Sequence, residues 1–115
     1  MKASTPQPAT APATTSAELM ESASEAAAEL LKAMANPQRL RVLCLLVERE
    51  MSVGEINALV PLSQSALSQH LAVLREKNLV ATRREAQTVY YSVADGTVHD
   101  VIEVLHRNLC GPVPG

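Results

Sequence analysis

The 115-residue chain is long enough for one small domain, and 47% apolar but only 2% aromatic content requires an aliphatic core, with helix-favouring Leu and Ala prominent. No apolar run approaches the roughly 18 residues of a membrane span, and the N-terminus lacks the basic-then-apolar order of a secretory signal, so a cytoplasmic protein with no membrane partner is expected. The net charge of −2 argues at first sight against nucleic acid, and two cysteines outside any CxxC or CxC argue against a disulfide framework or a thiolate-rich zinc site.

Residues 1–15 (MKASTPQPATAPATT) are Ala, Thr and Pro with one charged side chain and are expected as a disordered N-terminal tail. Thr15 and Glu18 have capping-box spacing. From Ser16 to Met34 the residues Leu19, Met20, Ala23, Ala26, Ala27, Leu30, Leu31 and Met34 recur at helical spacing. Asn36-Pro37 is an N-cap followed by proline at the first helical position. It predicts a second helix to about Glu50, with Leu40, Leu43, Cys44 and Val47 as its inner stripe. Ser52-Val53-Gly54-Glu55 is a second capping box and opens a short third helix ending near Val60. Pro61 pushes Val60 out of the helical region and forces a turn. Ser63 then caps a fourth helix to about Lys77, with Asn78 as its stop. The runs 79–84 and 88–93 are β-favouring and flank Glu85-Ala86-Gln87, which reads as a hairpin. A last helix runs from about Thr97 to Cys110, with Val98, Val101, Ile102, Leu105 and Leu109 on one face and Gly111-Pro112 as its end. Residues 16–110 therefore form the domain and 111–115 a C-terminal tail.

The fourth helix carries the most information. At about 100° per residue, Leu67, Leu71 and Leu74 fall on one stripe while Ser65, Ser68, Gln69 and Ala72 face the other way. A merely solvated face is rich in Glu and Lys. One of hydroxyls and amides suits base edges in the major groove. Charge is also uneven: residues 16–36 carry a net −3, residues 63–93 a net +2. A short helix, a tight turn and a second helix make a helix-turn-helix, and the following hairpin is a wing. The expected fold is mainly α with a β-hairpin wing: four helices, two strands and a fifth helix in a winged helix-turn-helix. Ser63, Gln64, Ser65, Ser68, Gln69 and His70 are expected to contact bases or phosphates, with His70 alternatively flanking the core. Arg83, Arg84, Gln87 and Thr88 are expected to serve the wing. Double-stranded DNA is the expected partner. No carboxylate pair, nucleophile–base set or phosphate loop points to an enzyme, and no cofactor is expected.

Residues 31–40 (LKAMANPQRL), 52–56 (SVGEI), 63–75, and Arg83 with Val89-Tyr90-Tyr91 together resemble the ArsR family of small dimeric winged-helix repressors, over about residues 25–110. The stretches 64–71 and 85–89 are most similar to its thiol- and persulfide-sensing branch. The resemblance implies a homodimer through the first and last helices, whose broad apolar faces exceed what so small a core can cover, and a pseudo-palindromic operator. The family's metal site on the third helix uses Cys-x-Cys, and residues 53–60 hold no Cys or His. Its site on the last helix follows a spacing that His99, Asp100, Glu103 and His106 do not fit. His99, Glu103, His106 and Cys110 still share one face at i, i+4, i+7 and i+11, so a metal-responsive repressor using part of that face stays open, as does a DNA-binding module with no effector. Taken singly, Cys44 reads as a small core residue and Cys110 as unremarkable. In the thiol-sensing branch one cysteine lies in the second helix and one near the end of the last. On that resemblance Cys44 and Cys110 are the redox-sensing pair, and low-molecular-weight persulfides or oxidants are the effectors.

Overall fold

The computed structural model describes residues 15–110 and, at Cys110, the backbone alone. Thr15 belongs to the fold as a helix cap; the rest of the expected N-terminal tail, and 111–115, lie outside the described residues. The elements are α1 (Ser16–Met34), α2 (Pro37–Leu46), β1 (Met51–Ser52), α3 (Val53–Leu59), α4 (Gln64–Glu76), β2 (Val80–Glu85), β3 (Thr88–Val93), α5 (Thr97–Leu105) and a π-helical turn (His106–Cys110).

Local polar chemistry starts each of the first four helices. Thr15 Oγ1 accepts from the Glu18 N–H at 3.0 Å while the Glu18 carboxylate accepts from the Thr15 N–H at 2.9 Å. The Asn36 side chain accepts from the N–H groups of Gln38 and Arg39 at 2.9 and 3.1 Å. Arg39 Nη1 then donates to the Ala33 carbonyl at 2.7 Å, tying the end of α1 to the start of α2. Ser52 and Glu55 repeat the reciprocal cap at α3, and Ser63 Oγ accepts from the Ala66 N–H at 3.1 Å to open α4. Between α3 and α4, Asn57 Nδ2 donates to the Leu62 carbonyl at 2.8 Å and holds the turn. Helix α4 ends in a Schellman motif: Leu79 N–H reaches the Leu74 carbonyl at 2.8 Å and Asn78 N–H the Arg75 carbonyl at 3.1 Å, with Asn78 at φ 62°.

The core is aliphatic, as the composition requires. Val42, Leu43, Met51, Ile56, Leu67, Leu71, Leu74, Leu79 and Ile102 are its most enclosed side chains, so it joins α2, α3, α4, the sheet and α5. Helix α2 is buried along the whole run Val42–Leu46, wider than the expected stripe, and Leu40 and Val47 are only half-buried. No helix among the described residues is long and apolar enough to cross a membrane.

Two expectations are corrected, and a third, the hairpin wing, is present and extended by one strand. Helix α2 stops at Leu46 and not near Glu50, because Met51 and Ser52 leave it to pair antiparallel with Tyr91 and Tyr90. The wing is therefore a three-stranded sheet in the order β1-β3-β2, and not a hairpin alone. The last helix changes to π geometry at His106, where its imidazole pairs with the Glu48 carboxylate in the turn after α2.

Candidate nucleic-acid interface

Helix α4 presents its two faces with the polarity expected. Leu67, Leu71 and Leu74 are buried, whereas Gln64, Ser65, Ser68, Gln69 and Ala72 are exposed. The three leucines anchor the helix, so its hydroxyl and amide face stands outward on a rigid base. Ser63, exposed, is spent on the cap and lies 3.3 Å from Ser65 Oγ. His70 is half-buried on the flank shared with Ala66 and Val73, at the edge of the outward face and not at its centre.

The wing residues separate. Alternation along a strand sends Arg83 and Arg84 to opposite faces of the sheet. Pairing of Arg83 with Tyr90 and of Glu85 with Thr88 puts all four on the outer face. Arg84, opposite Val89, continues the inner face of the buried Val80 and Val93 out to an exposed tip, and has no ion-pair partner among the described residues. Gln87 lies in the two-residue turn with Ala86, whose φ is 56°; a positive φ at the first turn position alone is the sign pattern of a type II′ turn.

Arg83 is heavily engaged. Its Nε lies 3.1 and 3.2 Å from the two Glu50 oxygens, Nη2 2.5 Å from Glu50 Oε1 and Nη1 3.0 Å from Glu85 Oε1. The guanidinium also stacks 4.7 Å from the centre of the Tyr90 ring. These hydrogen bonds raise the Arg83 pKa, and the Arg83 guanidinium holds the Glu50 carboxyl below its ordinary range. Glu50 carries no sequence signal, since its partner is 33 residues away. The same is true of Glu48 and His106, 58 residues apart.

Cys44 is buried in α2 within the core cluster. Cys110 closes the π-helical turn, which packs against α2, so the fold brings the two elements into contact. His106, expected on the polar face of the last helix, is committed to Glu48. His99, Asp100 and Glu103 remain together there, with one ligand atom from each within 4.8 Å of the others.

Apolar side chains are left uncovered on the first and last helices. Residues 16–29 of α1 are exposed throughout. Leu19, Met20 and Leu31 on α1, Val104 on α5 and Leu109 in the π-helical turn are roughly half to three-quarters exposed. Val104 belongs to a shallow depression shared with Asp100, Val101 and Leu105.

Comparison with known proteins agrees with this geometry. The family described as bacterial regulatory protein, arsR family, matches residues 36–82, from the cap of α2 to the start of β2. The chain is 56% identical over 91 residues to the transcriptional activator HlyU of Vibrio cholerae, covering 79% of this chain and 84% of that one. The solved structure of reduced HlyU from the same organism superposes with a TM-score of 0.77 at 54% identity, over 82% of this chain and 99% of that one. The transcriptional repressor BigR from Xylella fastidiosa gives a TM-score of 0.77 at 37% identity, over 83% and 94%.

Proposed function

The chain belongs to the arsR family of bacterial regulatory proteins and is a DNA-binding transcriptional regulator; from that premise we propose that it binds a pseudo-palindromic operator as a homodimer and is switched by chemistry at Cys44 and Cys110. The observation that carries the first half is the exposed Ser/Gln face of α4 set on three buried leucines. Ser65, Ser68 and Gln69 read bases, Gln64 and Ser63 meet the backbone, and His70 reaches the groove's edge. Arg84, Gln87 and Thr88 extend contact from the wing, with Arg83 behind them. The uncovered apolar side chains of α1, α5 and the π-helical turn support the homodimer: buried against a second copy they would leave no apolar patch in water and space two α4 helices along one side of the duplex.

The contact between α2 and the π-helical turn supports the thiol switch. Each cysteine thiolate attacks the outer sulfur of a low-molecular-weight persulfide, RSSH, becoming a protein persulfide and releasing RS⁻. One protein hydropersulfide then attacks the Sγ of the other and displaces HS⁻, leaving a three-sulfur bridge. A two-electron oxidant such as a peroxide gives instead a plain disulfide and water. Helix α2 packs on α4. A strap from α2 to the dimer-forming end of the chain therefore shifts the two reading helices relative to one another and weakens operator binding. The deciding experiment is intact mass with peptide mapping after anaerobic exposure to a persulfide, beside the fraction of operator released. A sulfur-bearing link between Cys44 and Cys110 with release of DNA is expected. Unlinked cysteines would overturn the switch. They would favour the metal-responsive reading, in which His99, Asp100 and Glu103 are the remaining ligand set.

A further inference from the structure

Arg83 spans the width of the sheet. It leaves β2, passes over the Tyr90 ring on the central strand β3, and ends on Glu50 just before β1. Two of its nitrogens engage Glu50 and a third engages Glu85. A planar fork on two oxygens is the geometry that a guanidinium also offers a phosphodiester. The outer face that carries this cluster holds Thr88 as well, and Gln87 adjoins it. A cation in that place must leave two carboxylates before it can meet a DNA phosphate.

We propose that Glu50 and Glu85 are an internal stand-in for DNA phosphate, occupying Arg83 so that the chain's affinity for non-cognate duplex is held down. The inference rests on DNA binding by the family and not on the thiol switch. Non-specific binding is almost wholly electrostatic and scales with the number of phosphates neutralised. Withholding one wing cation lowers that background, while Arg84 on the other face stays available. The contest is one of exchange and not of titration. Glu50 is pushed toward the charged form by its hydrogen bonds from Arg83, and Arg83 is held charged by the two carboxylates it engages. An operator that seats α4 in its groove supplies base contacts as well and can draw the arginine across; a random sequence supplies phosphate alone.

A double-mutant cycle on the full chain tests this, with a duplex of random sequence as the probe and affinity read over a series of salt concentrations. Glu50→Gln should tighten binding about three- to tenfold at low salt and steepen the log K against log salt slope by about one. In an Arg83→Gln background the same substitution should change nothing. Glu85→Gln should act in the same direction to a smaller extent. Equal tightening in both backgrounds would mean that removal of any carboxylate suffices. No change, or weaker binding, would mean that the pair merely braces the wing. Each of those results overturns the proposal.

Discussion

Asn78 and Ala86 hold φ values of 62° and 56°, where an L side chain crowds the following carbonyl. Asparagine tolerates that region through its short polar side chain and ends α4 there, so the helix stop is visible in the sequence. Alanine has no such relief, and nothing in Glu85-Ala86-Gln87 announces a tight two-residue turn. The hairpin is readable only from the β-favouring runs on either side. The two positions should respond oppositely. Asn78→Ala should cost about 1 kcal/mol, and Ala86→Gly should gain up to about 1 kcal/mol. Thermal unfolding at fixed protein concentration measures both, with shifts of roughly 4–8 °C per kcal/mol for a domain of this size. A loss of stability in Ala86→Gly would mean that the turn is held by something other than its backbone geometry. The outward residues of α4 are legible for a different reason: their chemistry and their period agree, and no distant partner is needed to define them.

Among the elements, the legible ones carry their own instructions. Asn36-Pro37, Ser52 with Glu55, and Ser63 after Pro61 each satisfy helix-end N–H groups from within three residues. Strand β1 has no such local signature. Its two residues are strand only because Tyr90 and Tyr91 offer an edge, and that pairing ends α2 early. The π-helical turn is equally non-local, since its first residue faces Glu48. That pair is half-buried and stitches the turn to the end of α2. His106→Leu should therefore speed amide hydrogen exchange of residues 107–110 by a few fold, the size of a contact worth ~1 kcal/mol, and leave 98–105 unchanged. Faster exchange along the whole of α5 would show instead that the pair supports the entire helix.

At the level of the whole molecule, the fold is complete but its apolar surface is not. Glu replacing both Leu19 and Leu109 puts charge where the dimer face is expected. The variant should sediment as a monomer and bind duplex DNA at least tenfold more weakly, with its helix content nearly intact. Wild-type protein that is itself monomeric at micromolar concentration would remove the dimer from the account. The uncovered apolar side chains are legible in the sequence, because helices at both ends of the chain are more apolar than one small core can absorb. The sequence does not foretell the carboxylates around Arg83, which come together only when three strands align.

The exposure of residues 16–29 has a consequence for ancestry and for choice of partner. With their side chains exposed in their own subunit, these turns of α1 can diverge with little effect on the reading head. In the homodimer proposed above, two copies of such a gene in one cell could drift apart there until each subunit accepts only its own kind, while both still recognise the same operator. Exchanging this segment between two such regulators would redirect which chains pair and leave the DNA sequence they seek unaltered.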